Sequence, residues 1–160
     1  MRISTYQLHV GIRAMCDGTA HLPEDLARSL RFVDTAEYLQ PKPRISDINW
    51  LATIETVETF AARNGRLPRH CEGRTRAFKE EGRLADWLST QRTNQRLERL
   101  CFYQQRRLEA LPGFRWEPLS EEWHERLNSC AAFLATHGRL PRIRSAEREE
   151  RSLARWIYAQ

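Results

Sequence analysis

The strongest constraint on the fold is an internal repeat with a period of 73 residues (123 minus 50). Each copy has a tryptophan, then Gly-Arg-Leu-Pro beginning 15 residues later, then Leu-Ala-x-Trp and a glutamine four residues further on. The first copy places these features at Trp50, Gly65, Trp87 and Gln91, and the second at Trp123, Gly138, Trp156 and Gln160. Because a repeat of this length corresponds to one supersecondary unit, we expect two related units.

Composition restricts the class of protein. The chain has 160 residues, of which 41% are apolar and 29% are charged, so it can bury a core and does not resemble a disordered chain. No apolar run approaches the roughly 20 residues that span a bilayer, so we expect no membrane partner. Four scattered cysteines without a C-x-x-C pair, and no signal peptide, predict a reduced, cytoplasmic protein.

Apolar residues recur at helical spacing along most of the chain, which predicts an all-α fold. We expect helices over about 24–39, from Ser46 or Asp47 to Asn64, over 83–93 and 95–111, from Ser120 to His137, and over 146–159. Residues 66–81 lack a sustained period and are predicted to form a loop with at most one turn. Ser46 or Asp47 and Ser145 are candidate helix caps, whereas Gly65 and Gly138 are placed to end helices.

The N-terminal segment is the hardest to interpret. Residues 6–12 alternate apolar and polar side chains, which favours a short strand, although the same run fits a helix that contains Gly11. The helix over 24–39 weakly repeats the pattern of the third helix of the first copy. One hypothesis is that it packs near Trp156, in place of a third helix of the second copy. The other is that the chain is a slice of a longer array of repeats.

Together these motifs resemble the helicase-associated domain family. The resemblance is carried by Trp50, by the runs 64–68 and 84–92, and by Leu-Glu-Ala-Leu-Pro-Gly-Phe-Arg-Trp at 108–116. It covers 50–116 fully and 123–160 in part. It implies three-helix units in tandem, as found beside bacterial helicase cores, and it implies nucleic-acid binding.

The predicted organisation has three parts. Residues 1–45 form an N-terminal extension that contains the degenerate partial repeat, 46–117 form a complete three-helix domain, and 118–160 form a second, partial repeat. The chain has no G-x-x-x-x-G-K-[ST] loop and no acidic Walker-B box, so it cannot be a helicase by itself. We expect no enzymatic activity and no cofactor.

Positive charge is concentrated in the first copy. Residues 61–115 carry 13 basic and 6 acidic side chains, a net charge of +7, whereas 1–60 have a net charge of −2 and 116–160 have none. Only Lys42 and Lys79 of the 26 basic residues are lysines, and arginine suits bidentate recognition of phosphate. The predicted nucleic-acid contacts are Arg66, Arg69, Arg74, Arg76, Arg92, Arg96 and Arg99.

Two interpretations of these arginines remain open. They could contact phosphates of nucleic acid, with DNA preferred to RNA, or they could form a solvated, salt-bridged face with Glu72, Glu80 and Glu81. Arginine richness can also reflect the codon bias of a genome. Four tryptophans are predicted to be core anchors rather than stacking platforms, namely Trp50, Trp87, Trp123 and Trp156, whereas Trp116 could cap the three-helix core or lie at the joint between copies. The alternative function is a protein-interaction module, an adaptor or inhibitor that acts on a helicase, nuclease or other nucleic-acid enzyme.

Metal binding and catalysis find little support in the sequence. His70, Cys71 and His137 have no recognisable ligand spacing, so no metal site is predicted. No G-x-S-x-G elbow or Cys-His signature is present either. We therefore predict no catalytic residue.

Overall fold

A computed structural model describes the backbone of residues 4–19, 21–70 and 76–160, and the side chains of these ranges except 76–78. Within them the chain is all-helical and has no strand, which confirms the predicted fold class. The described helices are α1 (Thr5–Cys16), α2 (Glu24–Ala36), α3 (Ile45–Asn64), α4 (Arg76–Arg96), α5 (Phe102–Glu109), α6 (Pro118–His137) and α7 (Arg148–Tyr158). None of these helices is both long and apolar enough to cross a membrane.

The chain divides after Trp116 into two compact units. The first contains α1 to α5, so the segment 1–45, predicted as an extension, lies in the same unit as the first repeat. The second contains α6 and α7.

The strand predicted at residues 6–12 is wrong, and the alternative helix is right. Ser4 caps α1 through a capping box, in which its hydroxyl accepts from the Gln7 amide and the Gln7 side chain accepts from the Ser4 amide. Leu8 and Ile12, four residues apart, are buried on the inner face. Over so short a run, a strand pattern and a helix pattern both place Leu8 and Ile12 on the same face. The capping box at Ser4 favours the helix.

Trp50 lies at the centre of the first unit. Its ring contacts Phe32 of α2 at 5.4 Å, Trp87 of α4 at 5.7 Å and Tyr103 of α5 at 6.3 Å between centroids. Its indole Nε1 donates to Gln91 at 3.0 Å. Helix α2 therefore packs against the tryptophan of the first copy, where its Phe32 is also stacked on Tyr103.

The boundary between α4 and α5 differs from the prediction because the chain turns there without glycine. Helix α4 continues to Arg96, and the predicted helix over 95–111 is broken at Glu98, which has φ +55°. The Arg99 amide donates to the Asn94 carbonyl across this turn, as in a Schellman motif. Helix α5 then begins at Phe102, after Cys101. At its other end α4 already includes residues 76–81, so the loop predicted over 66–81 is wrong for these residues, and Gly82 lies within the helix rather than before it.

The predicted caps also differ from the observed ones. Helix α3 begins at Ile45 without a side-chain cap, and Asp47 instead accepts from Arg31 Nε at 2.8 Å. Helix α7 begins at Arg148, and Ser145 lies before its N-terminus. By contrast, Gly65 and Gly138 end α3 and α6 as predicted, with φ of +66° and +63°.

The second unit reproduces the helix pair of the first but buries less of it. The Trp123 indole donates to Gln160 at 3.2 Å, as Trp50 does to Gln91, and packs against Trp156 at 6.1 Å. Cys130 and Ala154 are buried between its helices. Trp123 remains 42% exposed, whereas Trp50 is 8% exposed. Trp123 is thus only a partial core anchor.

Candidate nucleic-acid interface

The arginine of each Gly-Arg-Leu-Pro segment is part of an internal clamp. Arg66 Nη1 donates to Glu81 Oε1 at 2.5 Å and Nη2 donates to Oε2 at 3.3 Å, while the Arg69 amide donates to the same carboxylate at 3.1 Å. The guanidinium also lies 5.4 Å from the centre of the Phe60 ring. The clamp fixes the loop after α3 to the first turns of α4.

The second copy has the same clamp. Arg139 Nη1 donates to Glu150 Oε1 at 2.5 Å, and the Arg142 amide donates to that oxygen at 2.8 Å. Ser145 adds a hydroxyl hydrogen bond at 2.7 Å. Hydrogen bonding to Arg139, and then to Ser145, lowers the pKa of Glu150 to about 2. Arg66 likewise lowers the pKa of Glu81.

The structure gives the predicted arginines different surroundings. Arg66 is in the clamp, and Arg92 is half-buried, with its Nε donating to the Arg115 carbonyl at 2.8 Å and its guanidinium 5.0 Å from the Phe114 ring centre. Arg69, Arg96 and Arg99 are exposed. Arg74 lies outside the described residues, as does the side chain of Arg76. Phosphate contact by each of the seven arginines stays a prediction.

Arg99 lines one groove of the first unit together with three further arginines. Arg28 and Arg31 come from α2, Arg44 immediately precedes α3, and Arg99 follows α4. The groove has a volume of about 320 Å³. Its remaining lining residues are Phe32, Ser46, Asp47, Trp50, Gln91, Asn94, Leu100 and Gln104.

Two of the four arginines build the groove, and two remain available. Arg31 is paired with Asp47, and Arg28 Nη2 donates to the Arg99 carbonyl at 2.6 Å, which joins α2 to the turn after α4. Arg44 and Arg99 are exposed, and neither guanidinium has an ion pair with the described part of the chain. Their charges therefore face solvent at the groove.

The sequence did not predict a place in the site for Arg28, Arg31 or Arg44. The net charge of −2 over residues 1–60 concealed them, because a regional sum does not show which side chains share a face. A usable signal was present in the spacing of Arg28 and Arg31, since residues three apart lie on one side of a helix.

No cluster of His, Cys, Asp and Glu side chains in the described ranges is arranged to hold a metal ion. His70, one of the residues considered for a metal site, lies 3.4 Å from the Asp86 carboxylate instead, and both side chains are largely exposed.

Comparison with known families identifies the middle of the chain. Residues 47–117 match the model of the helicase associated domain. This segment is a helicase associated domain. The family predicted from the repeat is thus confirmed for these 71 residues (117 minus 47, plus 1) of the 160. No curated protein and no solved structure matches the chain.

The groove extends beyond the helicase associated domain. Asp47, Trp50, Gln91 and Arg99 belong to the matched range, whereas Arg28, Arg31 and Arg44 precede it. Helix α2 thus adds basic side chains to a surface that the domain only partly forms.

Proposed function

We propose that the chain is a non-catalytic DNA-binding protein in a helicase-related role, and that it binds through the arginine groove of the first unit. One observation carries the proposal: four arginines from three separate segments line one groove, and its lining contains a single carboxylate, Asp47, which Arg31 already pairs. The helicase associated domain supports the helicase-related role.

The available charge suits phosphate better than a neutral ligand. Arg44 and Arg99 present guanidinium groups that bind phosphate oxygens in a bidentate manner. Asn94 lines the same groove. Neutralising phosphates releases counterions, so such a groove binds a polyanion with an affinity that falls as salt rises.

Five of the seven arginines predicted from the sequence have roles in this proposal, and the roles are of two kinds. Arg69, Arg96 and Arg99 are exposed and contact the backbone of the nucleic acid. Arg66 and Arg92 act indirectly, because their guanidinium groups hold the loop after α3 and the segment after α5 in place.

The test replaces the two exposed groove arginines. We expect Arg44→Ala with Arg99→Ala to weaken binding of a fluorescent 20-base-pair duplex and to reduce the slope of log K against log salt by about 1.8, at about 0.9 for each lost phosphate contact. The measurement is fluorescence anisotropy over a salt series. The control, Arg63→Ala with Arg83→Ala, removes the same charge from exposed positions outside the groove. Equal losses in the two variants, or no duplex binding by the native chain, would refute the proposal.

A second candidate function, protein interaction, is favoured by the second unit. Positions that are buried in the first copy are open in the second: Leu127 is 42% exposed against 0% for Ile54, and Leu134 is 45% exposed against 3% for Ala61. Exposed apolar side chains in a row are typical of docking surfaces. This candidate predicts that Leu127→Lys with Leu134→Lys abolishes binding to a purified helicase ATPase core in calorimetry. If no native complex forms with such a core, the candidate is wrong.

A further inference from the structure

The second unit has a groove of its own, and its charge is not apparent from the sequence. Residues 116–160 sum to zero charge, yet a groove of about 570 Å³ is lined by Arg126, Arg148, Arg151, Ser152, Arg155 and Trp156, without a carboxylate. Of the acids close to these arginines, Glu150 is turned inward to Arg139, whereas Glu122 pairs with Arg126 at 3.1 Å. Folding therefore separates only part of the charge that cancels in the regional sum.

The arginines of this groove also divide into those with partners and those that are available, and Arg126 Nη2 is paired with Glu122 Oε1 at 3.1 Å. Arg151 Nη1 donates to the carbonyls of Ser145 and Ala146, at 2.7 and 2.6 Å, and so fixes the loop before α7. Arg148 and Arg155 are exposed and have no ion pair with any described residue. They lie seven residues apart on α7, about 10 Å along the helix axis, so they can contact different phosphates.

An aromatic surface adjoins the cationic one. A neighbouring groove of about 330 Å³ is lined by Leu119, Glu122, Trp123, Arg126 and Trp156, so the two grooves share Arg126 and Trp156. Trp123 is 42% exposed and its ring meets that of Trp156 at 62°. The two grooves together form one depression, which is lined by guanidinium groups, the exposed indole ring of Trp123, the half-buried ring of Trp156 and the Glu122 carboxylate.

We infer that this depression is a site for single-stranded nucleic acid, separate from the groove of the first unit. Arg148 and Arg155 bind phosphates, and an unpaired base stacks on the tryptophan surface. Single strands offer the faces of their bases to aromatic side chains, whereas a duplex buries them, so the combination favours a single strand. An acidic peptide would use the arginines but would gain no stacking.

The experiment compares three 12-nucleotide ligands by fluorescence anisotropy: oligodeoxythymidine, the same strand with abasic sugars, and a 12-base-pair duplex. We expect the full-length chain to bind oligodeoxythymidine most tightly and to lose at least about tenfold in that affinity on Arg148→Ala with Arg155→Ala. Arg142→Ala with Arg144→Ala is the control, because both side chains are exposed in the same unit and neither lines the groove. Equal losses in these two double variants overturn the inference.

Stacking of a base on the tryptophan surface is tested separately, by tryptophan fluorescence. Oligodeoxythymidine is expected to quench tryptophan fluorescence in the native chain, and Trp156→Phe, which keeps an aromatic ring in the packing, is expected to reduce that quenching. The abasic strand should quench little. If the abasic strand or a polyglutamate peptide binds as well as oligodeoxythymidine, the ligand is simply an anion and the inference fails.

The two sites can be separated in one further comparison. In the Arg44→Ala, Arg99→Ala background, binding of oligodeoxythymidine to the second unit should persist while duplex binding falls. Loss of single-strand binding in that background would overturn the second site, whereas loss of duplex binding alone concerns the proposed function.

Discussion

Ile54 and Leu127 allow a direct test of how the two copies differ. They occupy the same repeat position, 73 residues apart, but Ile54 is fully buried and Leu127 is 42% exposed. In the first unit, α2 and α5 complete the core around α3, and Phe32 and Tyr103 contact Trp50. The second unit consists of α6 and α7. Truncation to alanine should therefore lower the free energy of unfolding more at Ile54 than at Leu127.

The expected costs follow from the burial. Ile54→Ala removes three carbons from a closed core and leaves a cavity, which costs about 2–5 kcal/mol of the free energy of unfolding. Only 58% of the Leu127 residue is buried (100 minus 42). Scaling about 1.5–3 kcal/mol for full burial gives about 1–2 kcal/mol. Because water can enter the open side, no cavity cost is added there.

The assay must report each unit separately, since a chain with two units need not unfold in one step. We expect the indole Nε1–H signals of Trp50 and Trp123 in NMR spectra, followed through a urea titration, to give one unfolding curve for each unit. Ile54→Ala should then cost more in the Trp50 curve than Leu127→Ala costs in the Trp123 curve, by about 2 kcal/mol when the midpoints of the two ranges are compared. An equal or larger cost at Leu127 would refute the reasoning and show that its face is covered in solution.

Two further predictions concern local features. Because the ionised form of Glu150 is paired with Arg139 and its pKa is lowered from 4.5 to about 2, its stabilisation is complete above pH 4.5 and is lost as the pH falls towards 2. Circular dichroism should show this loss in the native chain and a flatter profile for Glu150→Gln, and identical profiles would contradict the prediction. Gly65→Ala, at φ +66°, should cost about 1–2 kcal/mol in thermal unfolding. Gly82→Ala, inside α4 with no atom within 4 Å of the added Cβ, should stabilise the chain by up to about 1 kcal/mol. If the two substitutions shift the unfolding temperature in the same direction, the prediction is wrong.

The sequence predicted the helices that end at glycine and failed where other residues make the turn. Gly65 and Gly138 adopt the left-handed conformation that their positions suggested. Tyr38 and Glu98 adopt the same conformation with φ of +57° and +55°, and their amides and the next ones close the turns on preceding carbonyls. This conformation costs residues other than glycine about 1–2 kcal/mol, so the residue types at these two positions gave no sign of a turn.

The candidate site was only partly predictable for a related reason. A regional charge sum located the basic segment 61–115 but could not show that Arg99 would meet Arg28, Arg31 and Arg44. That meeting depends on α2 packing against α5 and α3 around Trp50. Long-range contacts of this kind follow from the core, and residues far apart in sequence then share a surface.

The comparison of the two copies separates the arginines that support the repeat from those available to bind. Arg66 and Arg139 occur in both copies, and in both they hold a glutamate, so the repeated arginine is committed to the fold. Arg44 is replaced by Glu117 at the equivalent position of the second copy, and Arg155 corresponds to Asp86 in the first. An arginine that one copy replaces with an acid is not required by the fold of the repeat. The differences between the copies, rather than their shared motif, therefore indicate which arginines are available for ligand binding.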